Sequence, residues 1–254
     1  MNECLKNLEI LELSGSEAHL SWTYSCVNQN IKKYKVHFTH KRFLACPDDR
    51  RDDGRPSGIG TVEVEDKTRV IIHNLHAYSE YEFEVVAVFS NSNKPEILKV
   101  ISNTLEGNPE VRALKSSNDY YSYKDTSSKV VFDWSKPKQS QCELYNSDLG
   151  GWEYKVEGLD QWNKQFMING RLDISQTKLE VDSLLPYSRY MLQLYTANTA
   201  GLYDENVVLK IPKSTKQSTP VPPTHLQTFQ HSPGPGSVVL LWTDAFPPTG
   251  TIMR

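Results

Sequence analysis

The chain lacks any apolar run long enough to cross a bilayer as a helix. Its first residues, MNECLKNLEI, do not lead a basic segment into an apolar one, so no secretory leader is legible. None of its fifteen asparagines heads an Asn-x-Ser/Thr acceptor, which weighs mildly against an extracellular life. There is no RGD tripeptide, phosphate loop, GxGxxG, GxSxG or HExxH motif, so neither catalysis nor a bound cofactor is expected. Four cysteines occur, Cys4, Cys26, Cys46 and Cys142, and none forms a CxxC pair, which sets aside zinc ribbons and thioredoxin-like chemistry. The formal net charge is −3, with no basic stripe interleaved with aromatics, so nucleic acid is not an expected partner. Convincing helical periodicity is missing as well.

What is present, over 254 residues, is enough apolar and aromatic material for real cores, 38% and 10% of the chain. The motif L-x-x-Y-S-x-Y occurs twice, as LHAYSEY from Leu75 and as LLPYSRY from Leu184. After the first copy, Tyr81, Phe83, Val85 and Ala87 alternate with other side chains; after the second, Tyr190, Leu192, Leu194 and Thr196 do so. A period of two means a strand with one buried face. Upstream of each copy a short alternating run closes on a tryptophan, Trp22 in EAHLSWTYS and Trp134 in KVVFDWSKP. A third such run, GSVVLLWTDAFPP, carries Trp242. The tryptophans recur roughly every 110 residues, a repeat of domain size. Further alternating segments bring each of the first two units to about seven strands separated by turn residues, the count of a two-sheet β-sandwich.

These residues resemble tandem fibronectin type III domains, a family with a Trp in its second strand and an L-x-P-x-T-x-Y element entering its sixth. Leu184, Pro186, Ser188 in the place of Thr, and Tyr190 fit closely, and the first unit has Ala77 where the family has Pro. The resemblance implies an all-β chain of tandem immunoglobulin-like sandwiches, the third incomplete. The expected boundaries are 1–106, 107–213, a linker at 214–221, and the opening strands of a third domain at 222–254. Trp22, Tyr81, Trp134, Tyr190 and Trp242 are expected in the structural cores, and Tyr81 and Tyr190 resemble the tyrosine-corner residue, whose hydroxyl bonds to the connecting backbone. The third unit, ending at Arg254, reads as part of a longer array without a complete core of its own. Such arrays are common in ectodomains of receptor tyrosine kinases, receptor tyrosine phosphatases, cytokine-type receptors and adhesion proteins. The implied role is a non-catalytic binding and spacing segment on the extracellular side, with a protein ligand or adhesion partner and no insertion into the membrane. The alternative is a cytoplasmic scaffold built on the same sandwich.

Two insertions stand out, Ala45–Gly60 and Ser135–Gly151. Both are rich in turn formers and charge, and both read as surface loops where a partner could bind. Candidate contact residues are Asp48, Arg50, Arg51 and Asp53 in the first, and Leu144 and Tyr145 in the second. The DDRRDDG run could hold calcium, but its interleaved arginines favour a solvated charge run. His37/His40 and His73/His76 point to opposite strand faces and do not suggest a metal site. For the cysteines, a turn at SGSE folds a hairpin that sets Leu8 across from Trp22 and Cys4 across from Cys26. Cys4–Cys26 is thus one disulfide candidate and Cys26–Cys46 its rival, with free thiols also open. Cys142 is expected to stand apart from the others. A Cys4–Cys26 bond would resemble the pairing of first and second strands in cytokine-type receptor modules, whose W-S-x-W-S box is absent here.

Overall fold

A computed structural model describes residues 4–26, 31–46, 58–65, 67–90, 94–115, 124–219, 222, 224–228, 238–244 and 248–250. The chain forms two compact units. The first comprises residues 1–111 with 138–150 and 197–204; the second comprises 112–137, 151–196 and 205–254.

In the first unit the strands are β1 (Leu5–Leu13), β2 (Ala18–Tyr24), β3 (Ile31–Phe43), β4 (Ile59–Val64), β5 (Arg69–Ile72), β6 (Ser79–Phe89) and β7 (Glu96–Asn103). They form a three-stranded sheet, β1-β2-β5, and a four-stranded one, β4-β3-β6-β7. Every odd-numbered residue of β6, from Ser79 to Phe89, is buried, while Glu80, Glu82 and Glu84 face outward. Trp22 on β2 reaches across to the other sheet and meets Tyr34 of β3 edge-on, ring centroids 5.1 Å apart. The indole is 1% exposed.

The β1–β2 hairpin turns at Ser14–Glu17. The Ser14 amide donates to the Glu17 carbonyl at 2.9 Å, and the Ser14 hydroxyl accepts from the amides of Ser16 and Glu17. The register expected from that turn holds at Glu9–Ser21 and Ile10–Leu20 and slips by one residue toward either end. The pairing shifts between Lys6 and Glu9 and again between Ile10 and Glu12. Asn7 absorbs the first irregularity in the left-handed region, φ 53°, which asparagine tolerates better than most residues.

A second sandwich repeats the plan with β8 (Leu114–Lys115), β9 (Val130–Ser135), β10 (Leu149–Gly158), β11 (Met167–Asp173), β12 (Lys178–Val181), β13 (Arg189–Asn198) and β14 (Val208–Ser214). The sheet orders, β12-β9-β8 and β11-β10-β13-β14, are those of the first unit strand for strand. Trp134, 3% exposed, lies edge-on to Trp152 at 6.0 Å. The repeat extends to a detail of the pleat. Phe38 lies opposite Gly60 and Tyr154 opposite Gly170, and in each pair the ring occupies the space that a glycine Cβ would need.

Beyond the second sandwich, β15 (Thr224–Thr228) and β16 (Leu240–Thr243) pair, among the described residues, only with each other. Trp242, expected in a core, is 55% exposed, because two strands have no opposing layer among the described residues.

Truncating Trp22 or Trp134 to alanine is expected to cost about 3–5 kcal/mol in the unit that holds it. Trp242→Ala is expected to stay within about 0.5 kcal/mol, as for a surface site. Urea unfolding followed by circular dichroism checks both.

Candidate interaction site

The second copy of the tyrosine motif builds the same corner as the first. The His76 amide donates to the Tyr81 hydroxyl at 2.9 Å, and the Leu185 amide donates to the Tyr190 hydroxyl at 2.9 Å. Thr104 and Thr215 complete the two corners. Each hydroxyl donates to a corner carbonyl, His76 or Leu185, at 2.7 Å, and accepts from the Ser79 or Ser188 amide at 2.9 Å. These bonds hold Tyr78 and Tyr187 at φ 48° and 50°, a conformation that side-chain-bearing residues adopt only when their surroundings dictate it.

In the first unit this rigid corner is joined by a segment drawn from the second insertion. Cys46, at the end of the described part of the first insertion, is disulfide-bonded to Cys142, with Cα atoms 5.2 Å apart. This corrects two expectations: Cys142 does not stand apart, and Cys46 does not pair with Cys26. Cys26 is bonded instead to Cys4, Cα atoms 5.1 Å apart. Nor is the second insertion a solvated loop. It makes a short 3-10 turn, Gln139–Leu144, that buries Cys142 and Tyr145 against Val111, with Ala45 and Leu149 packed around them. Tyr145, expected to face a partner, is 8% exposed, and its hydroxyl donates to the Lys138 carbonyl. Leu144 packs at the edge of the same cluster. Asp48, Arg50, Arg51 and Asp53 lie outside the described residues.

Around the corner the anchored segment makes polar contacts with the rest of the unit. The Tyr78 hydroxyl donates to Asp148 at 2.5 Å, a charge-assisted bond of the short kind. The Gly107 amide donates to the Asn146 carbonyl at 2.7 Å, and the Asn146 side chain donates to Glu110 at 3.1 Å. The turn after β13 is seated on the same segment, its Thr199 amide donating to the Asp148 carbonyl at 3.0 Å. That seating needs Gly150, where a Cβ would stand 2.6 Å from Thr199 Cα and 2.7 Å from the Asn198 carbonyl oxygen. An open cleft of about 450 Å³ results, lined by Gly15, His76, Gly107, Glu110, Asn146 and Asp204 among others.

The residue range 5–102 matches the sequence profile of the Fibronectin type III domain. Residues 5–102 form a fibronectin type III domain. No curated protein matches the chain. Fibronectin type III domains serve as binding or scaffold modules and are generally non-catalytic, and the polar groups of this cleft are engaged as structural donors and acceptors. Cys46, Cys142 and Glu143 bring potential ligand atoms within 4.8 Å of one another, but sulfurs joined in a disulfide offer no thiolate to a metal. The histidines take structural roles: His37 bonds Thr61 and His73 bonds Glu17, both at 2.7 Å, while His40 packs edge-on against His76 and Tyr81 and tilted against Phe43.

Residues the sequence reading missed include Tyr78, Glu106, Asp148 and Thr199. One signal was available for the disulfide. Once Cys4 and Cys26 are paired, the two remaining cysteines sit one in each insertion, and an oxidised chain leaves them only each other.

Asp148 and burial push the Tyr78 phenol up to about 12. A raised acid favours the protonated, hydrogen-bonded form. The contribution of this bond is therefore present in full below the ordinary tyrosine pKa, near 10, and is lost as pH rises through the folded value. In an ultraviolet phenolate titration, Asp148→Asn is expected to return this tyrosine toward its ordinary range. The disulfide has its own test. Replacing Cys46 and Cys142 together by serine is expected to cost about 2–4 kcal/mol and to remove hydrogen-exchange protection from amides of residues 138–150.

Proposed function

We propose that the chain is a non-catalytic binding and spacing segment of a cell-surface receptor or adhesion protein, lying on the extracellular side of the plasma membrane. Ectodomains of receptor tyrosine kinases and phosphatases are the settings that suit it best. In this reading the two sandwiches are successive fibronectin type III domains, residues 1–106 and 107–213. A linker at 214–221 and the opening strands of a third domain at 222–254 follow. The partner is a protein ligand or adhesion partner that meets the insertion-built end of the first unit.

The observation that carries the reading is that all four cysteines are engaged in two disulfides. Disulfides persist where the surroundings are oxidising, outside the cell and along the route to its surface, and are rare where glutathione and thioredoxin keep thiols reduced. One observation favours the cytoplasmic scaffold instead, the absence of any Asn-x-Ser/Thr acceptor. Its weight is smaller, since a fold can do without glycans, whereas two disulfides are rare in a reducing compartment.

Alkylation of the protein recovered from its native cells without reductant, followed by peptide mass mapping, separates the two readings. The surface reading expects no alkylated cysteine and two cross-linked peptide pairs, Cys4 with Cys26 and Cys46 with Cys142. Four alkylated cysteines would assign the chain to the cytoplasm.

A further inference from the structure

The stretch that leaves each tyrosine corner makes the same backbone contact twice. In the first unit the Tyr78 amide donates to the Leu105 carbonyl at 2.9 Å, and two residues on the Gly107 amide donates to the Asn146 carbonyl at 2.7 Å. In the second unit the Tyr187 amide donates to the Lys216 carbonyl at 3.1 Å, and two residues on the Ser218 amide donates to the Thr249 carbonyl at 2.9 Å. The acceptor comes from an equivalent place each time. Asn146 lies in the chain that follows β9 and its Trp134, and Thr249 in the chain that follows β16 and its Trp242. Both contacts lie within a single compact unit.

Burial sets the captured segment apart from the strand before it. Every residue of β16 is exposed, whereas residues 248–250 are half-buried. Their approach to the corner stretch is close: a Cβ on Gly250 would stand 2.9 Å from Gln217 Oε1 and 3.1 Å from its Cδ. Gln217 and Ser218 thus meet a segment that lies beyond the exposed hairpin. The two clasps differ in one respect. The segment that carries Asn146 is tied to the first unit covalently, through Cys46–Cys142. Residues 205–254 hold no cysteine, so no disulfide closes the second.

We infer that residues 216–218, held by the Tyr187 corner, form a docking strip whose occupant is the 248–250 segment of the same chain, and that this clasp is a reversible joint, the unlocked counterpart of the one sealed by Cys46–Cys142. The inference rests on reading 222–254 as the start of a third module. A strip that offers backbone amides to another extended segment recognises main chain and tolerates varied side chains. Glycine and asparagine in one clasp and serine and threonine in the other therefore make the same bond. A cross-link beside a contact raises the effective concentration of one partner at the other. Without it, a backbone bond that competes with water opens and recloses locally. The chain thus carries one fixed seat and one yielding seat, and the yielding one lets the start of the third module detach and return.

The test uses the full, disulfide-intact chain, isotope-labelled for amide resonances. Hydrogen exchange is read at Gly107 and Ser218, and through-space contacts are read between Gln217 and Gly250. The Ser218 amide is expected to exchange about two- to tenfold more slowly than in an unstructured peptide. Gly107 is expected to be at least about tenfold better protected than Ser218. Replacing Cys46 and Cys142 by serine is expected to bring Gly107 toward the Ser218 level. Ser218→Pro removes the donor and is expected to abolish the Gln217–Gly250 contacts while the amides of β14 keep their protection. Exchange of Ser218 at the free-peptide rate, or Gln217–Gly250 contacts that persist in Ser218→Pro, would overturn the inference. So would protection of Ser218 equal to that of Gly107 in the oxidised chain. Protection of Ser218 that grows with protein concentration would also overturn it, by assigning the strip to a second copy. Failure at Ser218 while β15 and β16 keep their cross-strand contacts sinks this inference alone, whereas loss of those contacts sinks the third-module reading beneath it as well.

Discussion

Each sandwich is organised around an indole held between its two sheets. Trp134 and Trp152 are buried with, among the described residues, no acceptor within hydrogen-bonding distance of their ring N–H groups. An unsatisfied buried donor costs about 1–3 kcal/mol. Burial of the roughly 150–250 Å² of an aromatic side chain contributes, at about 25 cal/mol per Å², roughly 4–6 kcal/mol. The apolar term wins, so a tryptophan with an orphaned donor still stabilises its layer. Edge-on contacts, Trp22 with Tyr34 and Trp134 with Trp152, add a geometric preference to the packing. Position on this interface then dictates the rest. A strand that runs alongside such an indole must alternate, which is what β6 and β13 do.

That dependence is why the fold was legible from the chain alone. Alternation, a tryptophan at the end of a short run, and a tyrosine at the entry to a long one are local patterns, and each has a local physical cause. The corner is the clearest case. Tyr81 and Tyr190 each reach back five residues, to the amides of His76 and Leu185, within a single turn of chain. Pro186 in one copy and Ala77 in the other make no difference to that bond, because the hydroxyl reads the backbone of the turn and not its side chains. Trp242 shows the limit of the same logic. Its sequence pattern matches that of Trp22, but burial requires a second layer, and a strand pattern does not supply one.

The interaction site was far less legible, for reasons of range. The Cys46–Cys142 bond joins residues 96 apart in sequence, and nothing in either neighbourhood has a periodicity that names its partner. The second insertion reads as polar turn sequence, because only Cys142, Leu144 and Tyr145 are apolar near its centre, too few for any periodic test. They nevertheless suffice for a small cluster once the disulfide has placed them. Gly150 belongs to the same class of hidden constraint. Its role depends on the backbone of Thr199, nearly fifty positions further on, and no inspection of its neighbours would find it. The hairpin register slipped at its ends for a different reason. One asparagine in the left-handed region is enough to shift pairing, and Asn7 carries no stronger mark in the sequence than any other asparagine.

Electrostatics separates the two kinds of surface that the first unit exposes. Lys41 and Lys99 hold the Glu82 carboxyl below its ordinary range, and Lys33 does the same for Glu63. Exposed pairs of this sort contribute little to stability. Their effect is to pair the carboxylates of this sheet face with cations row by row. The corner end is built the opposite way. Its carboxylates bond to an amide, a hydroxyl and a phenol, groups that fix their position without cancelling their charge. A neutral donor satisfies the lone pairs of a carboxylate and leaves its potential intact, while a cation satisfies both. Among the described residues, the cations thus meet the carboxylates of the broad sheet face, whereas Glu106, Glu110 and Asp148 at the disulfide and tyrosine corner are held by neutral donors.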